Sequence, residues 1–155
     1  MFKGIIAAFA ILAVTTVAAF SSSDEFGTRE EAIAMVARVQ EVYKTDGLQA
    51  LIEQVNDIEN ASFHDRDLYV FIFDMNGVTA AHGVNPKLVG KSLIGIKDQN
   101  GVEFVREMVE IAQANGEGWV DYHWPNPATK KLAQKSSLTV RLDDTYFVGV
   151  GIYVE

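Results

Sequence analysis

Apolar residues recur at every third or fourth position near the start of the chain: Ala32, Val36, Val39 and Tyr43. That spacing predicts an amphipathic helix over about residues 29–45. Thr28 followed by Glu31 is a capping-box pattern that fixes where it begins. Asp46-Gly47 interrupts the period, and Asp46 caps a second helix that buries Leu48, Leu51, Ile52 and Val55. The polar stretch ENASFHDRD, residues 59–67, reads as a connector. The pattern then shortens. LYVFIF (68–73) is a β-branched and aromatic run, and DMNG supplies Asn-Gly, the strongest short hairpin signal. VTAAH (78–82) is the returning strand. After a connection rich in Gly, Asp98 is expected to cap a helix over about 100–115 with Val102, Val105, Met108, Val109 and Ala112 inward, stopped by Asn115-Gly116. Three strands follow, over 118–124, 133–142 and 146–154, the last two joined by a tight turn at 143–145. The order is α-α-β-β-α-β-β-β. It predicts an α+β domain with a mostly antiparallel sheet and the central helix across one face.

The first 21 residues break this picture. A basic Lys3 precedes a long apolar run, and small residues and SSSDEFGT follow. That is the layout of a secretory signal peptide, with cleavage expected after Ala19 or Ser21. The run also approaches the length that spans a bilayer, so an uncleaved membrane anchor is the alternative. The domain is then residues 22–155, placed in a bacterial periplasm or outside the cell, or anchored to a membrane if uncleaved. The formal charge is −8. Removing residues 1–21 takes away Lys3 and no acidic residue, which deepens it by one. No Lys/Arg cluster offsets that charge, so a nucleic-acid partner is excluded. The chain has no Cys, which excludes disulfides, thiol nucleophiles and thiolate metal sites.

The stretch GWVDYHWPNP, residues 118–127, concentrates aromatic side chains that also hydrogen-bond. As a strand it puts Trp119, Asp121 and His123 on one face and Val120, Tyr122 and Trp124 on the other. The second face is more apolar and is expected to look inward. Tyr and Trp offer a large apolar body with one polar handle, which suits a small pocket. Trp119 is expected to pack on the N-terminal helix. On the next strand Lys135, Ser137 and Thr139 share a face. Lys135 is either a solvated edge lysine or the partner of a ligand carboxylate, which cannot enter a low-dielectric pocket unpaired.

Taken together, DLYVFIFDMNG, AAHGVNPKLVGKSL, DQNGVEFVREM, GWVDYHWPNP, KSSLTV and YFVGVGIY resemble, in this order, the single Cache domains, PAS-like extracellular sensor modules of bacterial receptors. The resemblance covers roughly residues 28–154. It implies a five-stranded antiparallel sheet with a long N-terminal helix behind it. It also implies a small-molecule pocket between the sheet and the connection after the second strand. Ligands of such domains are often short organic acids such as acetate, propionate or pyruvate. The chain departs from the family where Ala81-His82-Gly83 stands in place of Ala-His-Pro. It looks like a stand-alone, exported version of the domain.

The expected ligand-binding residues are therefore Tyr122, Trp124, Lys135, His82, Phe71, Ser137 and Arg106. Lys135 neutralises a carboxylate, His82 and Tyr122 add hydrogen bonds, and Trp124 and Phe71 enclose the apolar part. His82 has a structural alternative as a satisfied turn histidine. Arg106 has one too, since Glu103 and Glu110 lie one helical turn away on either side. Catalysis has little support. His64, His82 and His123 show no metal-ligand spacing, and no nucleophile elbow or phosphate loop occurs. DMNG and DQNG lack the further ligands of a calcium loop. No cofactor is expected. The reading is an exported sensor domain for a short organic acid that passes its signal to a partner, such as a membrane receptor. The alternative is a membrane-tethered interaction protein without a ligand.

Overall fold

A computed structural model describes residues 26–154. The expected signal peptide, residues 1–21, lies outside the described residues. Helix α1 spans Arg29–Asn56. Thr28 and Glu31 form the reciprocal capping box read from the sequence. Gly47 breaks the helix in two with φ 83°, ψ 173°, a conformation a Cβ disfavours. The two predicted helices are thus two arms of one kinked rod, which lets Ala32, Met35, Val36 and Val39 and then Leu51 and Val55 lie on the same sheet.

Six strands follow: β1 (His64–Asp65), β2 (Leu68–Asp74), β3 (Thr79–His82), β4 (Glu117–Pro125), β5 (Leu132–Arg141) and β6 (Tyr146–Val154). All pair antiparallel in the order β2-β6-β5-β4, and both β1 and β3 pair with β2. The short β1 is a strand beyond the expected five. Residues 64–65, inside the polar connector, fold back on Leu68 and Tyr69. Val70 joins both short strands to one edge, donating to the Phe63 carbonyl and accepting from Gly83 N–H. A proline at 83 has no such N–H, so the departure from Ala-His-Pro adds a backbone hydrogen bond.

The sheet has two apolar faces. Val70, Ile72, Leu138, Val140, Val148 and Val150 meet α1. Tyr69, Phe71, Phe73, Val120, Tyr122, Phe147 and Tyr153 meet helix α2 (Phe104–Ala114) on the other. Helix α2 starts later than the sequence suggests, because Asp98 does not cap it. Its carboxylate instead accepts from the N–H groups of Asn100, Val102 and His123. Burial opposes ionisation of this group, but those three donors outweigh it and lower its pKa to about 2. The connection before α2 is thereby tied to β4, which ends the sheet. At the other end of α2, Asn115 is the C-cap and Gly116 takes φ 81°.

Candidate functional site

The site is built where β4, β5, β6 and β2 cross. Register sets Tyr122 beside Lys135 and Lys135 beside Tyr153. Lys135, Ser137 and Thr139 share the face that looks toward α2, and all three are fully buried. Lys135 Nζ lies 3.7 Å from the centre of the Tyr69 ring, 5.0 Å from that of Tyr153 and 5.6 Å from that of Phe71. It finds no hydrogen-bond acceptor among the described residues. Burial pushes its pKa well below the ordinary lysine value, and the attraction of Asp67 opposes that only in part.

Two glycines make room on this face, Gly151 for Lys135 and Gly149 for Phe71. A Cβ at Gly151 would collide with Lys135 Cε and Ser137 Oγ, and one at Gly149 would collide with the Phe71 ring. These are the glycines of YFVGVGIY, two residues apart and so on one face of β6.

Polar groups frame the lysine. The hydroxyls of Tyr122 and Ser137 are 3.0 Å apart, and Tyr153 donates to the Pro125 carbonyl at 2.8 Å. Burial raises the phenols of Tyr69 and Tyr122 far above their ordinary value. His82 Nδ1 accepts from the N–H groups of Val84 and Asn85. Nδ1 is therefore unprotonated and Nε2 carries the hydrogen. Burial, with the Lys135 charge adding to it, lowers the His82 pKa to about 3. This histidine stays neutral through the physiological range and offers one donor.

Tyr69, Phe71, His82, Phe104, Tyr122 and Trp124 line a small cavity of ≈ 10 Å³, about the room of one water. Phe104 stacks on Tyr122 with ring centres 4.4 Å apart and meets Trp124 edge-on at 5.3 Å. Lys135 lies against Tyr69 and Phe71, two walls of this cavity. A wider groove of ≈ 510 Å³ opens outside, lined by Arg66, Asn126 and Lys130 among others. His82 and Trp124 line both spaces and so form the partition between them.

A family model for the Cache domain matches residues 30–155, nearly all of the described chain. The chain belongs to the Cache domain family. It is 32% identical over 108 residues to the methyl-accepting chemotaxis protein McpP of Pseudomonas putida, covering 69% of this chain and 20% of that protein. It is 28% identical over 123 residues to the sensor histidine kinase MctS of Rhizobium johnstonii, covering 77% of this chain and 26% of that protein. The chain thus spans about a fifth to a quarter of the curated relatives it matches. Among solved structures, a methyl-accepting chemotaxis protein from Vibrio parahaemolyticus superposes with TM-score 0.69 at 25% identity, over 82% of this chain and 86% of the other. A structure described as the basis for carboxylic acid recognition by a Cache chemosensory domain gives 0.63 at 27% identity, over 81% and 88%. A periplasmic sensor domain of a chemotaxis protein gives 0.64 at 28% identity, over 81% and 90%.

In this Cache domain six of the seven expected site residues converge. Phe71, His82, Tyr122 and Trp124 line the cavity, and Lys135 and Ser137 lie on the neighbouring strand, in contact with its walls. Arg106 does not join them. Its side chain is about half exposed and pairs with Glu103 on the outer side of α2. The one-turn spacing of the two residues, seen in the sequence, favours that surface pair. Trp119 packs toward α1, with the Arg29 guanidinium 4.1 Å from its ring centre.

Nothing in the sequence marks Asp67. It is fully buried; one oxygen accepts from Gly27 N–H at 2.7 Å and the other has no partner among the described residues. Burial raises its pKa. It sits inside a polar connector, where no periodicity identifies a residue as buried. Tyr69 shows in the sequence only by alternating with Phe71 and Phe73 on one strand face, and nothing there singles out Tyr153 or Phe104.

Proposed function

We propose that this Cache domain binds a short-chain carboxylic acid, with the carboxylate paired to Lys135. The observation that carries the reading is a fully buried lysine nitrogen, enclosed by aromatic rings and without a hydrogen-bond partner among the described residues. Such a group is costly unless an anion meets it. Tyr122, Ser137 and the His82 Nε2–H supply neutral hydrogen bonds near it, and Phe71, Phe104 and Trp124 supply an apolar enclosure. The cavity holds about one water as it stands, so a ligand of two to four carbons enters as Trp124 and its neighbours swing outward into the groove. The structural neighbour described in terms of carboxylic acid recognition supports the same ligand class.

The domain acts as an extracytoplasmic sensor whose output passes through a partner such as a membrane receptor. Chemotaxis and sensor-kinase relatives support that role, as does a structural neighbour described as periplasmic. The chemotaxis and sensor-kinase relatives also favour binding over catalysis. Among the described residues no cluster of three His, Asp or Glu gathers to hold a metal, and no helix is long and apolar enough to cross a membrane.

Size sets the affinity. The best small ligands gain about 1.5 kcal/mol per non-hydrogen atom. Acetate therefore reaches about −6 kcal/mol, a Kd of some tens of micromolar. A thermal-shift screen against C2–C4 monocarboxylates, dicarboxylates and amino acids tests the reading. A ligand that binds only the folded state raises the melting temperature. A rise of several degrees with monocarboxylates is expected, and no response to any acid rejects the reading.

A further inference from the structure

Lys135 is held in surroundings that suit an amine better than an ammonium. Its Nζ is closed off by the rings of Tyr69, Tyr153 and Phe71 and has no acceptor among the described residues. From β4 it is approached by Tyr122, from β5 itself by Ser137, from β3 by His82 and from the β1–β2 turn by Asp67. Helix α2 brings Phe104, Val105 and Met108 to this face of the sheet, none of them charged. The tyrosines and His82 are all neutral near pH 7. Asp67 is the one acid in the set, and it is buried, with its own ionisation disfavoured.

We propose that the pocket takes up a proton together with its carboxylate, with Lys135 as the acceptor, so that anion and proton bind as one neutral unit. The inference rests on the carboxylate-binding reading above. A carboxylate, a proton from solvent and the neutral amine become a carboxylate–ammonium pair, and no other bond changes. Supplying the counter-ion removes the reason for the amine to stay neutral, so the proton arrives with the ligand. The proton is then a second ligand, and the domain reports acid activity rather than anion concentration. Affinity rises as pH falls toward the pKa of Lys135 in the free protein, as long as the acid itself stays ionised. It falls about tenfold per pH unit above the pKa of Lys135 in the free protein.

The test is a calorimetric titration of the purified chain with acetate, propionate and pyruvate near pH 7, repeated in buffers of different ionisation enthalpy. The expected result is an observed heat that depends linearly on buffer ionisation enthalpy, with a net uptake of protons on binding. Asp67→Asn is expected to keep that slope. Binding with no buffer dependence overturns the proton uptake and leaves the acid-binding reading standing. A slope that vanishes in Asp67→Asn moves the proton to Asp67 and overturns the role of Lys135. Binding of none of the three acids overturns both readings. A ligand-free check is NMR titration of the Lys135 Cε–Nζ group. A midpoint well below that of surface lysines supports the proposal, and an ordinary lysine midpoint overturns it.

Discussion

An unpaired lysine amine in an aromatic cage works against folding, since the unfolded chain solvates and protonates it freely. Lys135→Met keeps the length of the side chain and removes the polar end. Leaving a polar group buried without a partner costs about 1–3 kcal/mol. Lys135→Met is therefore expected to raise the melting temperature by several degrees while abolishing carboxylate binding, the stability–function trade seen where sites are strained. Differential scanning calorimetry with and without propionate reads both effects. A fall in melting temperature would mean that the lysine already has a stabilising partner. Gly151→Ala probes the same place from β6. Its Cβ would collide with Lys135 Cε and Ser137 Oγ. Overpacking of this kind costs about 1–3 kcal/mol. Acid binding is expected to weaken by more than about tenfold, the factor that 1.4 kcal/mol makes, while the variant still folds. Unchanged affinity would show that the lysine need not lie against β6.

Elements depend on a few polar ties. Asp98 holds three backbone N–H groups and binds the connection before α2 to the edge strand β4. That connection leads into Phe104, which stacks on Tyr122. Asp98→Ala is expected to lower the melting temperature by a few degrees. It should also speed amide exchange at Val102 and His123, and hydrogen-exchange mass spectrometry resolves those segments. Slow exchange in the variant would show that packing of Phe104 alone fixes the connection. At the far end of the sheet, Asp143 plays a similar part. It accepts from Thr145 and Tyr146 N–H to close the β5–β6 turn and from the Tyr43 hydroxyl of α1 at 2.6 Å.

At the scale of the molecule these groups set the response to pH. The folded state holds His82 neutral down to about pH 3, whereas the unfolded chain protonates it near 6.5. Its folded pKa is depressed, so the unfolded state binds more protons across that window and stability falls as pH drops from about 6.5 toward 3. Lys135 has the same sign at higher pH: stability rises with pH from its lowered folded pKa toward its unfolded value. Asp98 adds a loss as pH falls below about 4. Asp67, whose pKa is raised, acts in the opposite sense over the acid range. Denaturant unfolding from about pH 3 to 9 is expected to show stability increasing past neutrality. His82→Asn keeps an acceptor for the Val84 and Asn85 amides and is expected to flatten the limb between about pH 6.5 and 4. An unchanged limb would assign the acid loss to carboxylates.

Period and punctuation in the sequence determined most of the elements. The capping box at Thr28, the break at Gly47, the hairpin at Asn76-Gly77 and the alternation of β4 are local, and local chemistry decides them. The faces of β4 follow from the same alternation, which is why Tyr122 and Trp124 belong to the pocket and Trp119 lies outside it. Only tertiary structure decided the direction of Lys135, because a lysine at the start of a strand is solvated or buried according to its neighbours on β2 and β6. It also decided that Arg106 pairs with Glu103 at the surface, that Asp98 serves β4 rather than α2, and that Asp67 is buried. Each of these depends on packing that brings separate elements together, and no local period records it.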